Sequence, residues 1–171
     1  MRLPDGSGGS TFQWGTADYT LDGWFYVVDL TSPSFPGWWA KRNGNSDTAS
    51  SWYMWMGTSG SPLCSGRHNW TTGGSLSEAW TPTLNQWMHV AMTVKDLIMY
   101  LFYDGVLMAS GSVASATGGV SRDVVVGAPY YQSGTGYMNG WVDEFRAMKG
   151  AARWTESFVP PTAPSDFAEA A

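Results

Sequence analysis

The sequence predicts an all-β fold, and three observations carry that prediction. Charged residues make up only 13% of the 171-residue chain while aromatic residues make up 15%, whereas charges fill about a quarter of an ordinary globular chain. Glycine occurs 21 times, as tight turns between short strands require. Aromatic and β-branched residues gather in short runs bounded by Gly, Pro, Asn, Asp and Ser, which is how strands separated by turns read. No internal repeat, heptad pattern or long amphipathic helix interrupts this arrangement. With 43% apolar residues the chain can bury a core, and its length suits a single domain over residues 1–171.

Residues 1–11 are rich in Gly and Ser and predict an irregular start. Tyr19–Asp29 (YTLDGWFYVVD) is the first clear strand, with apolar side chains on both faces. The breaker Ser32–Gly37 leads to a short strand at Trp38–Arg42, and Asn43–Ser50 is a polar loop. Ser51–Met56 (SWYMWM) is a strand, followed by a weaker one near Leu63–Trp70 and a strong one at Trp87–Val94. Lys95–Asp96 turns the chain into Leu97–Tyr103, and Asp104–Gly105 marks a type I′ hairpin returning through Val106–Ser110. Val124–Gly127 and Tyr137–Met148 complete the strands, and residues 158–171 form a Pro-rich tail stiffened by Pro160–Pro161. Ser51–Met56 and Leu97–Tyr103 are apolar on both faces, which calls for a cover on the outer side or a place inside a thick core.

Charge and cysteine content narrow the function classes. The net charge is −5 and the nine Lys and Arg form no run, so the clustered cations that displace counterions from nucleic acid are missing. No apolar run approaches the roughly 20 residues that span a bilayer. The opening MRLPDGSGGS has no apolar core, so no signal peptide is expected. Cys64 is the single cysteine, which excludes an internal disulfide and a thiolate metal site.

The segment Gly136–Pro164 (GYMNGWVDEFRAMKGAARWTESFVPPTAP) is the most informative stretch. Alternation along its strand puts Asp143 on one face with Trp141, Phe145 and Ala147. A carboxylate there needs a partner, and Arg146 or Arg153 is the natural one. His89 shares a strand face with Trp87 and Ala91 and is expected to be structural. His68 lies near Cys64 in SGRHNW, without a visible base and orienting group, so that pairing is taken as incidental.

In order along the chain, Gly15–Tyr26 (GTADYTLDGWFY), Gln86–Thr93 (QWMHVAMT), Tyr100–Val106 (YLFYDGV), Val126–Gly127 and Gly136–Pro164 resemble laminin-G-like domains. These belong to the concanavalin A-like lectin/glucanase superfamily, and the likeness is to its pentraxin-like branch, common in bacteriophage structural proteins. The family's closing Ala-Arg-aromatic-Thr-x-x-Phe-x-Pro-Pro signature corresponds to Ala152–Pro161. The resemblance implies a two-sheet antiparallel jelly-roll sandwich of about 12 strands. It also implies a non-catalytic structural or adhesion module. The expected setting is a virion, as a capsid decoration, fibre or tail adhesin assembled in the host cytoplasm. Partners would be other virion proteins or copies of the chain, with host-surface glycans as ligands. The alternative is a carbohydrate-binding module of a secreted or cell-surface protein. In one departure, the family usually carries a further strand before the Gly-Thr-x-Asp motif, and only 14 residues precede Gly15 here. An open sheet edge would invite pairing with another chain, unless Phe12–Trp14 or residues 1–5 fill it.

Site residues follow from the same likeness. Laminin-G-like domains hold calcium at the rim, and Asn43, Asn45 and Asp47 place oxygens at alternate positions, with Asp143 a further candidate ligand. No other cofactor is expected. Retaining glucanases need two carboxylates about 5–5.5 Å apart. The adjacent Asp143 and Glu144 should point to opposite faces, so no catalytic residue is assigned. For glycan or protein contact the candidates are Trp38, Trp39, Tyr130 and Tyr131, since one aromatic of each adjacent pair should face outward on a regular strand.

Overall fold

The computed structural model describes residues 1–5, 11–30, 36–41, 52–58, 61–68, 74–113, 123–129 and 136–161. Its described residues form eleven strands: β1 (Arg2–Leu3), β2 (Tyr19–Asp29), β3 (Gly37–Ala40), β4 (Tyr53–Thr58), β5 (Ser61–Arg67), β6 (Ser75–Ala79), β7 (Trp87–Lys95), β8 (Ile98–Tyr103), β9 (Val106–Ser112), β10 (Val124–Val126) and β11 (Asn139–Lys149). They make two antiparallel sheets, a six-stranded one ordered β1-β10-β3-β4-β5-β6 and a five-stranded one ordered β11-β2-β7-β8-β9. The fold is the expected all-β jelly-roll sandwich.

Alternation sends Leu21, Phe25 and Val27 of β2, Met88, Val90 and Met92 of β7, and Met99 and Leu101 of β8 into the space between the sheets. Trp38, Trp39, Met54 and Met56 meet them from the six-stranded sheet. Each fully buried large apolar side chain contributes about 1.5–3 kcal/mol. The two turns that order β7-β8-β9 are both left-handed two-residue hairpins. Asp104 and Gly105 have φ of 46° and 75°, the type I′ geometry expected of Asp-Gly. The turn between β7 and β8 is centred on Asp96 and Leu97 (φ 49° and 59°), one residue later than the expected Lys95–Asp96.

Two expectations are overturned. Trp38 and Trp39 are both fully buried, so neither offers an outward platform. The pairing of β3 with β4 slips between Gly37 and Trp39, and a bulge of this kind lets consecutive residues turn to the same side. The sheet edge is also closed locally. Arg2 and Leu3 pair antiparallel with Val125 and Val124, so residues 1–5 fill the edge beside β10.

The outer face of β8 is covered at Phe102, while that of β4 packs against its own sheet neighbours. Phe102 of β8 packs under Phe158 with ring centres 5.3 Å apart. Tyr53 of β4 joins a second small cluster with Ala40, Val125 and Ala128, against which Trp55 packs. β6, Ser75–Ala79, escaped sequence reading because its SLSEA segment is polar and mostly exposed.

Candidate functional site

The outer face of the five-stranded sheet carries two distinct zones. In the first, Asp22 lies fully buried on β2 and accepts from the Arg146 Nη2 of β11 and from His89 Nε2 of β7 at 3.2 Å. Over this group lies the segment after β11. Trp154 and Phe158 stack with centres 4.0 Å apart and planes within 5°, and each meets the His89 ring edge-on at 5.7 Å. The segment is tied down at both ends. Thr20 Oγ1 donates to the Ala151 carbonyl and accepts from the Arg153 N–H, and the Phe158 N–H donates to the Gly105 carbonyl at 2.8 Å. His89 is therefore structural, as expected, and it is sealed away from ligand.

The expected partnership of Asp143 is corrected here. Pairing of β11 with β2 is regular up to Asp143–Trp24 and resumes at Arg146–Asp22, with Glu144 at φ 50° in the bulge between them. The extra residue breaks the alternation that put Asp143 and Phe145 on one face. Phe145 turns inward toward Trp39, with ring centres 5.6 Å apart, while Asp143 stays exposed and its Oδ1 accepts from the Glu144 N–H. Arg146 is committed to Asp22 instead. Asn43, Asn45, Asp47, Tyr130 and Tyr131 lie outside the described residues. Among the described residues, no three His, Cys, Asp or Glu side chains gather as metal ligands.

The second zone is left uncovered by that segment. Trp141 of β11 is in register with Tyr26 of β2, and Tyr26 with Trp87 of β7. The three rings form one row across three strands, with ring centres 5.1 and 5.7 Å apart and edge-on angles of 74° and 70°. Trp141 is 60% and Trp87 45% exposed. Sequence reading placed Trp141 and Trp87 on strand faces but did not bring them together. Their meeting depends on the pairing order β11-β2-β7, and the available signal was only that all three are aromatics at outward positions.

Elsewhere the described residues hold buried polar pairs and a cleft. Lys41 is buried and its Nζ donates to Asp5 Oδ2 at 2.5 Å; burial pushes its pKa down, against the opposing pull of Asp5. Cys64 and His68 take separate partners: the Cys64 thiol lies beside the Tyr103 hydroxyl, and His68 Nδ1 bonds the Tyr19 hydroxyl at 2.8 Å. A cleft of about 510 Å³ runs between β10 and β11, lined by Val125, Ala128, Met138, Val142 and the exposed Tyr137.

Comparison with known proteins decides the family. The family model for the concanavalin A-like lectin/glucanases superfamily matches residues 3–156. The chain belongs to that superfamily. Among solved members of this fold, domain 4 of the extracellular GH43 arabinanase of Geobacillus stearothermophilus, in complex with arabinotriose, is 19% identical with a TM-score of 0.62; the match covers 88% of this chain and 66% of that domain. The CBM40 of the Ruminococcus gnavus IT-sialidase, bound to α2,3-sialyllactose, is 11% identical with a TM-score of 0.60, over 87% of this chain and 84% of that one. The heptameric SAP-like pentraxin of Limulus polyphemus is 16% identical with a TM-score of 0.52, over 86% and 68%. These likenesses speak to the fold, and the sequence comparison with curated proteins finds no match. The concanavalin A-like sandwich thus frames an exposed aromatic row on one sheet and a sealed ionic cluster beside it.

Proposed function

We propose that this chain is a non-catalytic carbohydrate-recognition module. The observation that carries the reading is the row Trp141–Tyr26–Trp87, an uncovered aromatic surface on a lectin-like sandwich. Pyranose rings present flat C–H faces, and aromatic rings present electron-rich faces to them. The arabinotriose and sialyllactose complexes of the structural neighbours support a sugar ligand for this scaffold. The non-catalytic part is supported by the engagement of three of the 14 acids. Asp22 holds Arg146 and His89, Asp5 holds Lys41, and Asp143 caps its own bulge.

The virion role expected from the resemblance rests on that resemblance alone. The sugar complexes of the structural neighbours favour the carbohydrate reading over it. A glycan array probed with the purified chain tests it. Saturable binding to at least one sugar class is expected, and silence across neutral, acidic and amino sugars would overturn it.

A further inference from the structure

The aromatic row has a chemical character that narrows its ligand. Its two indoles lie two strands apart, about 10 Å at the usual inter-strand spacing, with Tyr26 between them. Tyr26 stands edge-on to both indoles, so the row offers two indole stacking positions two strands apart, which suits a chain of sugars better than a single terminal residue. Among the described residues, the row has acidic and amide groups on either side. On one side Asn139 Nδ2 donates to Asp29 Oδ2 at 2.7 Å. On the other, the neighbouring register carries Asp143 opposite Trp24 and Trp24 opposite His89, and Asp104 Oδ1 accepts the His89 N–H. The nearest cation along β11 is Arg146, whose guanidinium is engaged by Asp22.

We propose that the Trp141–Tyr26–Trp87 row binds an extended neutral oligosaccharide laid across the strands, and that the flanking carboxylates exclude acidic glycans. This rests on the carbohydrate reading above. Ionised carboxylates only accept hydrogen bonds, so Asp29 and Asp143 take hydroxyl donors from a neutral sugar. A sugar carboxylate beside them would meet like charge, which disfavours its binding. Selectivity therefore runs opposite to that of a site built for sialylated ligands.

Calorimetric titration of the full chain with cellohexaose, xylohexaose, mannohexaose and α2,3-sialyllactose tests this, using wild type, Trp141→Ala, Trp87→Ala and the double variant Asp29→Asn/Asp143→Asn. At least one neutral hexasaccharide should bind, with affinity falling about tenfold or more in each Trp variant, as for a truncated aromatic anchor. Sialyllactose should bind at least about tenfold more weakly than that hexasaccharide, and the gap should narrow in the Asn double variant. Neutral binding unchanged in both Trp variants, or sialyllactose as the tighter ligand, would overturn the proposal while leaving the carbohydrate reading in place. Silence of all four probes, with binding to other sugars on the array, would likewise overturn only this site. Silence on the array as well removes both. Trp141 is the more exposed of the two, so its variant carries the test if Trp87→Ala does not fold, with folding checked by the thermal transition.

Discussion

Gly105 shows how much one residue of this fold can be required to do. Its φ of 75° lies in the left-handed region that side chains avoid, and a Cβ there would overlap the Phe158 carbonyl oxygen. Gly105→Ala should cost about 1–3 kcal/mol in backbone strain alone. It should also lift Phe158 from His89 and Phe102, seen as a lower urea midpoint with a red shift in the summed tryptophan emission. An unchanged midpoint would show that the covering segment docks without this contact. Cys64 makes a second residue-scale case. Burial pushes its thiol up to about 12, against the opposing pull of the Tyr103 hydroxyl. A thiol reagent at pH 8 should therefore react with the native protein on the order of a hundredfold or more slowly than with the unfolded chain; equal rates would contradict the packing. At this scale the sequence was a partial guide. The Asp-Gly hairpin was legible because its chemistry is local, whereas Trp38, Trp39 and Asp143 were misplaced because strict alternation was assumed. The bulges that break it, before Trp39 and after Asp143, arise from pairing with β4 and β2.

Among the described elements, β1 is the shortest, and an ion pair helps to hold it. Its Arg2 bonds the Asp123 carboxylate, whose other oxygen accepts the Asp5 N–H at 3.1 Å. Burial alone would raise the Asp123 pKa, but the Asp5 N–H, Arg2 and the Lys41 charge together hold it below its ordinary 3.8. A depressed carboxyl pKa means stability that is complete above the unfolded value and is lost as pH falls through the folded one. Acidification below about pH 4 should therefore loosen β1. The protection of the Val126 amide against hydrogen exchange, relative to an unstructured amide at the same pH, should fall there, since that amide donates to the Met1 carbonyl. Asp123→Asn should abolish that pH step, and a step that persists in the variant would place its origin elsewhere. Most strands were readable from aromatic runs bounded by turns. β6 was not, because an edge strand exposed on both faces needs no apolar pattern. β1 was open only as an alternative, since two residues cannot show a period.

Across the whole molecule, order in the sheets and order in the chain diverge. β11 pairs with β2, and β1 with β10, so each sheet joins segments from near both ends of the chain. That is why the family motifs could be read in sequence while the candidate site could not: Trp141, Tyr26 and Trp87 are far apart until β2 is flanked by its two partners. The same topology governs how the molecule forms. Closing long loops costs entropy before the pairing they permit returns any stability. The chain should therefore refold on the millisecond-to-second scale typical of β-sandwiches. A single core containing Trp38, Trp39, Leu21 and Phe25 joins both sheets, so tryptophan fluorescence and far-UV circular dichroism should follow one common transition. Stopped-flow refolding checks both statements. Completion within microseconds would contradict the non-local pairing, and separate transitions for the two probes would mean that one sheet stands without the other.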